Sequence, residues 1–341
     1  MTVTLAGADL DLVAALQHAP RAGVRQLAEV LQTSPSTVSR RLGRLREAGT
    51  ARVIGQVNSA LVADVTPDHV WLKTAPGRTR EAAEAVARLP ETQFAALVSG
   101  SSDVYAIVQA PRRADSADLL AQRIGGIPGV VASRTETVLG SYATAANWRL
   151  PRLTQPQRDR LCEDSLPSSP PTEGVTITED ERAVVELLHD DGRTNAGDIS
   201  RTLGLSQSTA YRLLHSVLDR GLVLPRVEIE PALVGYPVEP VIALTTDLSA
   251  IVPTATALGR HRAARYVSTV AGVSSLIFHG AFEDEAALST FITQDLARLD
   301  GVRGIDICLA LDVLTRYWLP RRAPYLRQAA VTAARQAELL Q

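Results

Sequence analysis

The chain repeats itself at one fixed offset. Residues 31–42, LQTSPSTVSRRL, align with residues 203–214, LGLSQSTAYRLL, so Ser34 pairs with Ser206, 172 residues on. VSGSSDVYAIVQA (98–110) aligns with VAGVSSLIFHGAF (270–282), and PGVVASRTETVL (128–139) with DGVRGIDICLAL (300–311). Gly100 thus pairs with Gly272 and Gly129 with Gly301, again 172 apart. Three separated anchors in one register imply a duplicated unit with no net insertion, because chance apolar periodicity does not hold register over such distances. The proline-rich segment 151–174 separates the copies and reads as a linker. Each copy divides again into a helix-patterned first part and a second part that alternates strand-like and helix-like segments. The expected boundaries are 1–58 and 175–230 for the helical domains, 59–150 and 231–320 for the mixed domains, and 321–341 for a C-terminal helical tail.

Composition removes several classes. In 341 residues, 45% are hydrophobic and 21% charged, which is globular. The net charge of −2 excludes a polybasic protein but not a local basic face, which is what attracts phosphate. Cys162 and Cys308 lie far apart and outside any CxxC spacing, so neither a disulfide framework nor a zinc site is expected. No apolar run reaches the ~18 residues a membrane span needs, and the N-terminus lacks signal-peptide patterning, so a cytoplasmic location is the expectation.

The first helical domain has a specific order. Residues 7–18 and 23–32 carry helical apolar spacing, and TSP then breaks the chain. Ser34 is a good N-cap, Pro35 suits the first helical position, and Gly49 suits the C-terminal turn. At 100° per residue Val38, Leu42 and Leu45 form one buried stripe. Ser36, Arg40 and Arg44 face away, flanked by Thr37 and Ser39. Two short helices before a capped third one is helix-turn-helix order, with residues 51–58 as a short strand or wing leading away. From Ser34 to Arg52 five arginines, including Arg41 and Arg46, face one acid (Glu47). Hydroxyls beside arginines suit both phosphate and base-edge contacts on double-stranded DNA.

The second helical domain keeps the cap (Ser206) and the stripe (Ala210, Leu214, Val217) but loses charge. Arg212 matches Arg40, while Arg41, Arg44, Arg46 and Arg52 become Leu213, Ser216, Leu218 and Leu224. Residues 1–55 carry net +3 and residues 175–229 net −3. The first domain is therefore expected to bind DNA more strongly, with Ser208, Thr209, Tyr211 and Arg212 as the second domain's candidate contacts.

In the mixed domain, residues 68–74, 92–99, 103–110 and 130–140 read as strands and 78–90 and 114–129 as helices. The order βαββαβ is the ferredoxin-like split unit, whose open sheet face calls for another sheet. The predicted fold is α+β: two winged helix-turn-helix domains alternating with two ferredoxin-like domains. Here the chain resembles the Lrp/AsnC (feast/famine) family of transcription regulators. The resemblance is carried by LQTSPSTVSRRLGRLREAG, LVSGSSDVYAIVQA and IPGVVASRTETVL in that order. It implies a DNA-binding regulator with no catalytic, metal or cofactor site, in which two fused units make an intramolecular pseudo-dimer that assembles into homo-oligomers. It also implies a small-molecule effector, commonly an amino acid, near the SGxxD turn. Carried over, that implicates Ser99, Gly100 and Asp103, with Thr135 and Thr137 on the adjacent strand. The second copy has Ala271, Gly272 and Ser275 at the turn, so its carboxylate is missing.

Two alternatives stand beside this reading. Sirohaem decarboxylases resemble the same design and can be fused pairs, but their resemblance centres on a His- and Tyr-rich strand region. Here the comparable strands hold only Tyr105 in one copy and Tyr266 and His279 in the other, with the remaining histidines (18, 69, 189, 215, 261) scattered in sequence. An interaction adaptor whose helix-turn-helix domains no longer bind DNA is the third reading.

Overall fold

The computed structural model describes residues 5–58, 65–162, 177–317, 319–322 and 325–326. They form two compact units, and each unit takes one domain from either copy of the repeat. Described residues 5–58, 149–162 and 177–230 build the helix-turn-helix unit, and 65–148, 231–317 and 319–322 build the sheet unit.

In the helix-turn-helix unit, α1 (Gly7–His18), α2 (Val24–Val30), α3 (Pro35–Glu47) and β1 (Ala51–Val57) make the first copy. The segment read as a linker holds α6 (Gln155–Cys162), numbered here in chain order after the elements of the first sheet. The second copy is α7 (Glu179–Asp190), α8 (Ala196–Leu203), α9 (Gln207–Asp219) and β6 (Val223–Ile229). Every element of the second copy starts 172 residues after its counterpart. The stripes follow the spacing with one exception: Val38 and Leu45 are buried, as are Ala210, Leu214 and Val217, while Leu42 is half-buried. Each buried Val or Leu side chain stabilises by about 1.5–3 kcal/mol. Both recognition helices end at left-handed glycines, Gly49 (φ 64°) and Gly221 (φ 63°).

The wings do not lead away. β1 and β6 pair antiparallel along their whole length, with Ala51 opposite Ile229 and Val57 opposite Val223. Reciprocal arginines lock the same seam. Arg21 donates to the carbonyls of Gly192 and Thr194, and Arg193, its equivalent, donates to those of Pro20 (2.6 Å) and Ala22 (2.8 Å).

The linker reading of 151–174 needs correction over its described part, 151–162. Leu153 and Leu161 are buried, Gln157 donates to the Val30 carbonyl (2.9 Å) and Arg152 pairs with Asp11 (2.6 Å). Just before it, the Leu150 backbone N–H bonds Gln17 Oε1 (2.8 Å). Composition misled because Pro156 sits in the first turn of α6, where its missing N–H has no intrahelical partner to lose.

In the sheet unit the first copy is β2 (Asp68–Thr74), α4 (Thr79–Arg88), β3 (Thr92–Ser99), β4 (Val104–Val108), α5 (Arg113–Ala117) and β5 (Val130–Ala143). A wider π-helical stretch, Asp118–Ile124, continues α5. The second copy is β7 (Pro240–Thr246), α10 (Ile251–Gly259), β8 (Ala264–Ala271), β9 (Leu276–Gly280), α11 (Glu285–Thr290) and β10 (Val302–Arg316). The order βαββαβ holds in both. The short strands β11 (Leu319–Arg322) and β12 (Tyr325–Leu326) follow, so the described start of the expected helical tail is extended; residues 327–341 lie outside the described residues.

The two sheets complete one another. β5 pairs with β2 through its first half and with β8 of the other copy through its second. β10 does the same from its side, pairing with β7 of its own copy and then with β3 of the other. The ring β10–β3–β4–β2–β5–β8–β9–β7 closes back on β10, so the expected open face becomes a shared interior. Trp71, Phe94, Tyr105, Val138, Val241 and Ile277 meet there, while separate cores lie under the helices of each copy. Among the described residues no helix is long and apolar enough to cross a membrane, and no cluster of His, Cys, Asp or Glu is arranged to hold a metal ion.

Candidate DNA-binding and effector sites

The two recognition helices start with the same local chemistry. Ser34 Oγ accepts from the Thr37 backbone N–H at 3.2 Å and lies 3.0 and 2.8 Å from the Ser36 and Thr37 hydroxyls. Ser206 does the same with Thr209 (3.1 Å), Ser208 (3.0 Å) and the Thr209 hydroxyl (2.9 Å). Ser36, Ser39 and Arg40 are exposed beyond the cap, as are Ser208, Tyr211 and Arg212 in the second copy. Thr37 and Thr209 are half-buried. Tyr211 packs its ring on His215, with centroids 4.2 Å apart.

The arginines of α3 divide. Arg44 makes two bonds to the buried Asp9 carboxylate (2.8 and 2.6 Å), and Arg41 donates to the Ala8 carbonyl (3.1 Å) near the same carboxylate. Arg46 pairs with Asp191 (2.8 Å). Arg44, although it projects from the outer face of the helix, therefore ties α3 to α1. The residue equivalent to Asp9 is Glu181, which accepts from Ser216, the Arg44 equivalent, at 2.8 Å and from Arg220 at 2.6 Å. Both copies thus tie helix one to helix three through an acid, with different donors. Arg40 has no such partner among the described residues, and neither does Arg212.

In the sheet unit the five residues taken from the SGxxD resemblance spread out. Gly100 (φ 119°) turns tightly against the other copy: a Cβ there would sit 2.5 Å from the Ile307 carbonyl oxygen. Ser99 is exposed beside it. Asp103 Oδ2 accepts from the Thr74 backbone N–H (2.8 Å) and hydroxyl (3.3 Å), so that carboxylate fixes its own turn. Thr137 donates to Asp68 (2.6 Å), and Thr135 is half-buried on the same outer face of β5.

The inner face of β5 carries what sequence reasoning missed. Glu136 is fully buried, and its Oε1 accepts from the Ser274 N–H (3.0 Å) in the β8–β9 turn. Its Oε2 has no hydrogen-bond partner. Arg134 lies over the Trp71 ring, 4.9 Å from the centroid, with Nε 4.0 Å from Glu136 and Nη2 3.5 Å from Asp306. Neither Nε nor Nη2 makes a hydrogen bond, and nor does Trp71 Nε1. Asp306 accepts from Ser101 of the SGxxD turn (2.6 Å). One acceptor and several donors without a hydrogen bond, the guanidinium within ion-pair reach of Glu136 and Asp306, therefore gather where the two hairpin turns meet the long strands. Strand alternation was the available signal, since Thr135 and Thr137 outward put Glu136 inward.

Two histidines distant in sequence, His69 and His279, share this interior. His69 Nδ1 is 2.6 Å from the Tyr105 hydroxyl and Nε2 3.1 Å from Ser268 Oγ, and the Tyr266 ring is 5.7 Å away. His279 packs edge-on to Phe94 in the same interior. Burial holds the His69 pKa down to about 3 and pushes the Tyr105 hydroxyl well up, so both stay neutral at physiological pH.

Residues 8–46 match the AsnC-type helix-turn-helix domain, residues 69–147 the Lrp/AsnC ligand binding domain, and residues 183–225 the IclR helix-turn-helix domain. A helix-turn-helix domain joined to a ligand-binding domain defines a transcription regulator. Over residues 8–46 and 69–147 the chain is similar to the two domains that carry the Lrp/AsnC name. It is 26% identical over 151 residues to the HTH-type transcriptional regulator AldR of Mycobacterium tuberculosis, covering 43% of this chain and 84% of that protein. It is 23% identical over 145 residues to an uncharacterized HTH-type transcriptional regulator of Pyrococcus horikoshii, covering 42% and 92%. Among solved structures, the siroheme decarboxylase NirDL superposes over 97% of this chain and 98% of its own with TM-score 0.59. At 12% identity that likeness shows a shared tandem fold.

Proposed function

We propose that this regulator grips its operator chiefly through the first helix-turn-helix domain and senses an amino acid at the corner formed by Trp71, Arg134, Glu136 and Asp306. The observation that carries the sensing half is the unmatched polar set. A buried polar group without a partner costs about 1–3 kcal/mol. An α-ammonium suits Glu136 Oε2, and an α-carboxylate suits the indole N–H and the Arg134 guanidinium, which it would share with Asp306. Ser99 and Gly100 form the rim of the same site, while Asp103 holds the turn. Thr135 and Thr137 face the other side of β5 and would feel a ligand only through the strand. Leu139 and its equivalent Leu311, each about two-thirds exposed, are the proposed contacts between chains.

Thermal denaturation of the full chain against the twenty amino acids tests the site. One or a few are expected to raise the midpoint, and Glu136→Gln removes the response while Asp103→Ala keeps it. A response intact in Glu136→Gln and lost in Asp103→Ala would move the site to the turn. Linkage requires that operator DNA change effector affinity by the same factor as effector changes operator affinity, so both titrations must agree.

For DNA, Arg40→Ala is expected to weaken operator binding by about 1–3 kcal/mol, roughly 5- to 150-fold, with a lower salt slope. Arg212→Ala should have a smaller effect, because the second domain is the less basic one. Arg44→Ala should act mainly by loosening α1 from α3. Equal effects of Arg40→Ala and Arg212→Ala in a footprinting titration would contradict the asymmetry. The decarboxylase reading has the NirDL fold on its side, but His69 and Tyr105 are fully buried and bonded to one another rather than presented to a ligand.

A further inference from the structure

The helix-turn-helix unit encloses a pocket of about 190 Å³ on one side of the β1–β6 seam. Its apolar wall comes from Leu16, Leu45, Val53 and Val227, and Gly43 of α3 opens onto it. Arg46, Arg52, Arg193, Asp190 and Asp191 supply the charged part of the lining. Arg193 has an arginine equivalent, Arg21, but the equivalents of Arg46, Arg52, Asp190 and Asp191 are Leu218, Leu224, His18 and Ala19. Both carboxylates are therefore particular to this corner.

The donors at this corner are engaged. Arg46 pairs with Asp191, Arg193 donates to two carbonyls, and Arg52 also interacts within the protein. What is left over is an acceptor. Asp190 is half-buried at the end of α7, and its Oδ1 meets no donor. Burial raises its carboxyl pKa, against the partial compensation of Arg52.

We propose that this pocket binds a small amphipathic cation, a primary ammonium carried on a single ring or branched hydrocarbon, with the ammonium on Asp190 and the hydrocarbon against Leu16, Leu45, Val53 and Val227. Size sets the limit. A cavity of about 150 Å³ accepts benzene, so this one holds a ring plus a short aminoalkyl arm. The lining joins the first recognition helix to the end of α7 in the second copy. A ligand here favours the arrangement of the two domains seen in this structure, independently of any effector in the sheet unit.

Isothermal titration of the full chain with benzylammonium tests this, with benzyl alcohol as the uncharged control. One site per chain with a Kd at or below about 1 mM is expected, and the alcohol should bind at least tenfold more weakly. Asp190→Asn should weaken benzylammonium at least tenfold. Gly43→Leu should abolish binding by filling the pocket; a Cβ at Gly43 meets nothing within 4 Å, so the helix accepts it. Absence of saturable binding to the wild-type chain would overturn the proposal, and so would binding that neither substitution changes.

Discussion

Glu239→Ala is expected to destabilise the sheet unit by about 3–5 kcal/mol, because it strands a buried guanidinium. Glu239 takes two bonds from Arg316 Nη2, both 2.9 Å, and His279 Nε2 lies 3.6 Å away. The Arg316 side chain is only 3% exposed and lies 5.1 Å from the centre of the Phe94 ring. Burial pushes the Glu239 carboxyl upward, but Arg316, His279 and Arg265 outweigh it and hold the group ionised well below the usual range. Removing the acid leaves Arg316 charged, desolvated and short of acceptors. The pair itself need not stabilise the fold: Glu239→Leu with Arg316→Met should recover most of the loss by substituting packing for charge. Trp71 and Trp148 both belong to this unit, so urea unfolding followed by tryptophan fluorescence reads it selectively. A loss below ~1 kcal/mol in Glu239→Ala, the range of exposed pairs, would show that water reaches the cluster.

The architecture was legible because the repeat kept register. Caps, stripes and the βαββαβ order each followed from local chemistry, and the offset of 172 recurs in the starts of all eight ring strands and six recognition-domain helices. Partnership was not legible. Nothing in the wing residues 51–58 says that they pair with 223–229, since either strand satisfies the same alternation. Nor does a proline-rich segment announce a helix when the proline falls in its first turn. The arginines of α3 show the same gap: helical projection put Arg44 on the outer face, and only the fold of α1 brings Asp9 under it. At the proposed effector site, family resemblance points to the conspicuous Asp103, whereas Glu136 stands between two threonines and its partner lies in a turn 138 residues away.

Acid should weaken the sheet unit well above the range where carboxylates titrate, and His69 should account for much of it. Its folded pKa of about 3 lies below the usual 6.5 because burial, with His279 nearby, disfavours the imidazolium. The unfolded chain therefore binds a proton that the folded chain refuses. Stability from this group is complete above pH 6.5 and falls as the pH drops toward 3, by about 1.4 kcal/mol per unit, or about 2 kcal/mol between pH 6.5 and 5. His261 and His279, both depressed by burial despite neighbouring carboxylates, add in the same direction. Asp68, whose carboxyl burial pushes up against the Thr137 hydrogen bond, opposes them. His69→Gln keeps a group able to bond both Tyr105 and Ser268 and removes the titration. The urea midpoint of His69→Gln should thus depend less on pH between 6.5 and 5 than that of the unaltered chain. Identical slopes would mean that the ring is protonated in the fold, with water or a ligand beside it.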